Sequence, residues 1–191
     1  MVKDGPWGKF KRVVDVGGGH GHFMHRILDA HPEITGVNFD RAPVIELAKK
    51  EWAAGGAFAT AAARAEHVAG SFFETGSLPA AKDGDAFLMR YILHDWPTKD
   101  VVTILKNVRV AFGSANATLV IGESALPNHD KVGVPPAIYN IDVQMMVAFG
   151  EAQERTPAQW KEVLAQTGFS LVKIHPTRSL VHWVEAVAVS V

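Results

Sequence analysis

The chain has 191 residues, 48% of them hydrophobic and 20% charged, with a formal net charge of -1. That size suits one α/β domain with a real core, and the near-neutral charge gives no electrostatic case for nucleic acid or for a membrane surface. Cysteine is absent, which excludes disulfides, thiolate metal sites and cysteine nucleophiles, and no apolar run approaches membrane-spanning length; a soluble cytoplasmic domain is the expectation.

Strand and helix patterns alternate almost from the start. Val13, Val14 and Val16 form a β-branched run that leads into Gly17, Gly18, Gly19 and Gly21, after which Phe23, Ile27 and Leu28 recur at helical spacing. Residues 34–39 read as a second strand and 44–52 as a second helix, while the Ala-rich segment 55–64 is either helix or loop. Strands are expected near 66–68 and over 86–92. Thr98 is placed to cap a helix with Val101, Leu105 and Val108 on its apolar face. A fifth strand over 118–122 precedes a Pro-containing loop and an apolar helix around 138–149. Thr156-Pro157-Ala158-Gln159 has the form of a capping box, with Gly168 as its terminator, and 171–175 and 180–189 read as closing strands. Such alternation implies a doubly wound sheet with helices on both faces, because each parallel crossover needs a covering helix.

In such a sheet ligands settle beyond the carboxyl ends of the strands. The loop after strand one has the form G-x-G-x-G, with Gly17, Gly19 and Gly21, and His22 stands where a dinucleotide fingerprint would have its third glycine. This spacing suits the methionine end of S-adenosylmethionine better than a pyrophosphate. Asp40 ends strand two, where a carboxylate can accept both hydroxyls of a ribose. The loop alone is a weak signal, since a tight turn serves folding as well. With Asp40 it points to an adenosine ligand.

Three further motifs fall on the same rim: Leu93-His94-Asp95-Trp96-Pro97, Glu123, and Glu154-Arg155-Thr156. A histidine titrating near neutrality can serve as a general base. A phenol has a pKa of about 10 and histidine about 6.5, so prior proton transfer is uphill and transfer concerted with methylation is favoured. Two carboxylates beside the ring would orient it and stabilise the imidazolium. Met145 and Met146, in the apolar helix between the two glutamates, are candidates for a pocket wall. Each has a plainer reading: a satisfied structural histidine, a turn-capping Asp95, solvated loop charges, core methionines. His20, His22, His25 and His31 do not have a metal-ligand spacing, and no metal is expected.

These motifs resemble one family, the caffeic acid and flavonoid-type O-methyltransferases of plants and their fungal and bacterial relatives. The matching segments are VDVGGGHG (14–21), GVNFD (36–40), HVAGSFF (67–73), GDAFLMRYILHDWP (84–97), ILKN (104–107), GESALP (122–127) and ERTPAQW (154–160). The resemblance implies a Rossmann-like class I methyltransferase fold, with a mostly parallel seven-stranded sheet and an antiparallel C-terminal strand. It implies S-adenosylmethionine as cofactor and S-adenosylhomocysteine as product, held by Asp15, Gly17, Gly19, Gly21, Asp40, Ser71, Phe72 and Arg90. Ser71 replaces the family's usual Asp and Arg90 its usual Lys. It further implies His94 as general base flanked by Glu123 and Glu154, with Asp95, Met145 and Met146 toward a phenolic small-molecule acceptor.

The family usually carries an N-terminal dimerisation domain. Here residues 1–10 are expected to be a lead-in and 11–191 the S-adenosylmethionine-binding domain, with weak activity and self-association through exposed apolar surface as the expected consequence. The alternative to an enzyme is a non-catalytic module binding the cofactor or its product. A nicotinamide dehydrogenase is a distant third.

Overall fold

A computed structural model describes residues 2–127, 140, 147 and 152–189. Its described elements are β1 (Arg12–Val16), α1 (His22–Ala30), β2 (Thr35–Asp40), α2 (Ala42–Trp52), β3 (Ala65–Ala69), β4 (Asp85–Arg90), α3 (Thr98–Phe112), β5 (Thr118–Ser124), α4 (Pro157–Gln166), β6 (Phe169–Pro176) and β7 (Val181–Ala188). Short 3-10 turns occupy Ala59–Arg64 and Leu93–Asp95, which decides the Ala-rich segment. Apart from Asn140 and Val147, the expected apolar helix around 138–149 lies outside the described residues.

The strands form one seven-stranded sheet in the order β3-β2-β1-β4-β5-β7-β6. β1 to β5 are parallel, β7 runs antiparallel to β5, and β6 antiparallel to β7. The sheet reverses direction of growth at β1, and this switch point carries the glycine loop. Val13, Val14 and Val16 are all fully buried, because helices cover both faces of a parallel sheet, so its central strands are apolar without alternation. Val14, Phe87 and Leu119 pack on one face against Ile104, Leu105 and Trp160 of α3 and α4. Val13, Leu88 and Val120 pack on the other against Phe23, Met24 and Ile27 of α1. Burying one such side chain contributes about 1.5–3 kcal/mol, so the two layers hold the rim above them rigid. Among the described residues no helix is long and apolar enough to cross a membrane.

Most boundaries shift by one or two residues from the expectation, and three differences have a clear cause. β4 stops at Arg90 instead of residue 92, because Tyr91 turns to φ 56° and leaves the strand. β5 runs two residues further, to Ser124, since β7 pairs with its whole length. Thr98 does not cap α3. Extended Pro97 takes the cap position without a side-chain bond, and the Thr98 hydroxyl instead accepts from Gln153 Nε2 at 2.9 Å. The capping box on α4 is present, with Thr156 and Gln159 bonding reciprocally, and Gly168 follows its end at φ 81°.

Candidate active site

Two groups of residues meet on the rim. The first surrounds the glycine loop. Gly19 adopts φ 61° and a Cβ there would meet no atom within 4 Å, so the loop offers bare backbone to open space. Gly17 adopts φ 76°, and a Cβ would come within 2.5 Å of Ile92 Cδ1. Gly21, also left-handed, begins α1 with no side-chain cap, which leaves the helix start available to an anion. Asp40 Oδ2 accepts from Gly19 N at 2.9 Å and Oδ1 from Arg41 N at 2.7 Å. Beside the loop opens a cavity of about 460 Å³ whose lining includes Gly17, Asp40, Ser71, Phe72, Ile92 and Asp95. The Ser71 hydroxyl accepts from Phe73 N at 3.3 Å. The sequence-expected Asp15 is not among the lining residues: it is only 3% exposed, beneath the loop. Arg90 is not there either. It lies over the rings of Phe23 and Tyr91, 4.6 and 4.9 Å from their centroids, and lines a separate hollow with Arg26 and Arg178, because it projects toward the α1 face.

The second group is a buried charge cluster. His94 stands on the 3-10 turn after β4, Glu123 near the end of β5, and Glu154 two residues before the α4 cap. Their side chains converge: His94 Nδ1 is 3.0 Å from Glu123 Oε2 and 3.2 Å from Glu154 Oε1. Glu123 Oε1 accepts from the backbone N–H groups of Ile92 and Leu93, both at 2.9 Å, so one carboxylate clamps the turn and its ring together. His94 Nε2 is 3.4 Å from Asp95 Oδ1; Asp95 lines the cavity, whereas His94 is not among its lining residues. Burial alone disfavours the charged ring, but the hydrogen bonds and charges of Glu123 and Glu154 outweigh it, and His94 is pushed up to about 10. The expectation of a ring titrating near neutrality is therefore corrected: at neutral pH the cluster holds an imidazolium. Burial raises the Asp95 carboxyl, against the lowering effect of His94. The three groups offer ligand atoms within 4.8 Å of one another, compact enough to hold a cation as well as to share protons.

Sequence reasoning assigned no role to three residues that shape this cluster. Arg155 is 1% exposed and donates to the carbonyls of Leu93 and Trp96, both at 3.0 Å, which ties the histidine turn to the segment bearing Glu154. Gln153 N adds a bond to His94 O at 3.1 Å. The signal for Arg155 was its place in the ERT motif, but its carbonyl partners are visible only in three dimensions. Tyr91 is left-handed, a costly conformation for a bulky residue, and its ring stacks on His94 at 5.6 Å. Met145 and Met146 lie outside the described residues. Of the loop and α1 histidines, His20 and His22 share Glu51 of α2, at 2.6 and 4.0 Å, while His25 pairs with Asp29 and His31 with Glu33, each at 3.5 Å. An acidic partner near His20 thus exists, supplied from α2 and not from the loop.

The strand order, the reversed β7 and the glycine loop at the switch point define a class I S-adenosylmethionine methyltransferase fold. A profile of the O-methyltransferase domain matches residues 3–170, and the chain belongs to this family. It is 37% identical over 178 residues to the phenazine O-methyltransferase PhzM of Lysobacter antibioticus, covering 93% of this chain and 48% of that protein. It is 36% identical over 171 residues to 8-amino-8-demethylriboflavin N,N-dimethyltransferase of Streptomyces davaonensis, covering 89% and 45%. The crystal structure of NcsB1, an O-methyltransferase from neocarzinostatin biosynthesis, in complex with S-adenosylmethionine and 2-hydroxy-5-methyl naphthoic acid, superposes with a TM-score of 0.81 at 29% identity, over 98% of this chain and 52% of that one. The chain thus spans about half the length of the relatives it matches.

Proposed function

We propose that this chain is the S-adenosylmethionine-binding domain, over residues 11–191, of an O-methyltransferase that methylates a hydroxyl of an aromatic small molecule with His94 as general base. The observation that carries this reading is the His94 ring held by two buried carboxylates on Nδ1, with Nε2 3.4 Å from Asp95, a residue that lines the cavity beside the glycine loop.

The residues around that cavity suit the cofactor. Bare backbone at Gly17 and Gly19 admits its methionine end, Asp40 is placed to exchange its backbone bonds for ribose hydroxyls, and Phe72 and Ile92 offer apolar contact to a purine. When bound, S-adenosylmethionine supplies an electrophilic methyl group on sulfur. The protein's part is to align the acceptor and to take its proton. Raising His94 to about 10 matches it to a phenol, whose pKa is also about 10, so proton transfer from hydroxyl to Nε2 becomes nearly thermoneutral. Glu123 and Glu154 position the ring through Nδ1 and balance its charge. A hydroxyl acceptor needs such a base more than an amine does, which favours oxygen although one relative is named as an N,N-dimethyltransferase. The aromatic acceptor is supported by the rings of Phe72, Phe73 and Trp96 on this rim and by the naphthoic acid of the NcsB1 complex. Phe73 and Tyr91 remain 36% and 41% exposed, apolar surface on which a second copy of the chain could pack.

The test is calorimetric titration of the chain with S-adenosylmethionine and S-adenosylhomocysteine, followed by transfer of labelled methyl to phenolic acceptors. Micromolar binding, with turnover in wild type and not in His94→Asn, is expected. Binding with equal turnover in both would remove His94 from the mechanism. Binding without turnover in either would favour a cofactor-binding module.

A further inference from the structure

Two hydrogen-bond acceptors face one space beneath the glycine loop. Asp15 of β1 and Asn38 of β2 are register partners, 3% and 0% exposed. Asn38 Nδ2 donates to Gly19 O at 2.9 Å, which fixes the orientation of the amide. A Cβ on Gly18 would lie 2.2 Å from Asn38 Oδ1 and 2.9 Å from Asp15 Oδ2, so both oxygens border the small volume under Gly18 that the missing side chain leaves. Neither oxygen has a hydrogen-bond partner among the described residues. Buried acceptors without donors are costly, and a carboxylate set against an amide oxygen adds repulsion. One proton between them removes both penalties.

We propose that Asp15 is kept as the neutral carboxylic acid, its hydroxyl donating to Asn38 Oδ1, and that it is a positioning residue for the cofactor. The proton joins β1 to β2 under the loop. Through Asn38 it holds the carbonyl of Gly19, whose N–H in turn holds Asp40 Oδ2 at 2.9 Å. The surroundings agree. Burial foremost, and the charge of Asp40 at the end of β2, raise the Asp15 carboxyl to about 7 against the opposing pull of Arg90 at the end of β4. Among the described residues, Arg90 and Asp40 are the charged groups acting on it. Ionisation leaves two facing acceptors unbonded and loosens the Gly19 link, so cofactor affinity falls as pH rises through neutrality. This last step rests on the cofactor reading above; the protonation of Asp15 does not.

Two measurements test it. The first is the carboxyl ¹³C resonance of Asp15 in wild type, assigned through backbone connectivity and followed against pH. It is expected to titrate near neutrality. A midpoint in the ordinary carboxylate range would overturn the proposal, whether or not any variant folds. The second is calorimetric titration with S-adenosylhomocysteine at about pH 6 and about pH 8. If only the neutral form positions the loop, wild-type affinity falls about tenfold over that interval, and Asp15→Asn, whose amide donates permanently, shows no such fall. An equal fall in Asp15→Asn would overturn the positioning role. No binding to either protein at any pH would overturn the cofactor reading and the positioning role together, while the ¹³C titration still decides the protonation.

Discussion

The glycine loop and the histidine cluster share one rim of the sheet, yet they hold their functional groups by different means. The loop is one turn between β1 and α1, with bare backbone above and two buried polar side chains, Asp15 of β1 and Asn38 of β2, below. The cluster is assembled from three distant segments, at residues 94, 123 and 154, and its energetics are electrostatic. Its parts depend on one another, since Glu123 clamps both the ring and the turn that bears it. Both groups therefore depend on residues brought from other elements: the loop on Asn38 and Asp40 of β2, the cluster on the segments that carry Glu123 and Glu154 to His94.

Substitutions at the two ends separate these accounts. The largest effect is expected for His94→Asn, which keeps bulk and polarity but cannot take a proton. Methyl transfer falls about a thousandfold, near 4 kcal/mol of barrier, while calorimetric affinity for S-adenosylhomocysteine stays within a few-fold. Arg155→Met removes the donors to the carbonyls of Leu93, Gln153 and Trp96 and destabilises the fold by about 2–3 kcal/mol, read from denaturant midpoints. Glu123→Gln deletes one of the two charges that raise His94. The ring's titration, followed by NMR, drops by at least about one unit, or about 1.4 kcal/mol. Thr156→Ala opens the capping box and costs about 1 kcal/mol of stability, with little effect on cofactor binding.

The same cluster sets a pH dependence of stability. The folded-state value of His94, about 10, lies above its ordinary 6.5, so the stabilisation from its charged form is complete below about pH 6.5 and is lost as pH rises through about 10. Denaturation midpoints of wild type should fall across that window more steeply than those of His94→Asn.

Much of this was legible in the sequence, for identifiable reasons. β-Branched runs, glycine spacing and the T-P-A-Q cap are local signals, and they place β1, the loop and α4 closely. His94, Glu123 and Glu154 stand out because they follow a strand, stand near the end of one and precede a cap, respectively, on the ligand-bearing rim. What the sequence withheld depends on how elements approach. The direction of Arg90 toward α1, the burial of Asp15 and the carbonyl partners of Arg155 follow from packing across the sheet. The upward shift of His94 follows from two carboxylates reaching one nitrogen, and no spacing of 29 or 31 residues announces that. The left-handed Tyr91, at φ 56°, has no glycine to mark it.

The most direct test of the central claim, that His94 is a base raised by Glu123 and Glu154, is the pH dependence of kcat/KM for methyl transfer to a simple phenol. The account predicts a rise of about tenfold per pH unit from neutrality toward about pH 10, with the rise beginning lower in Glu123→Gln. A plateau above about pH 6.5 in wild type, the profile of an ordinary histidine, would contradict it.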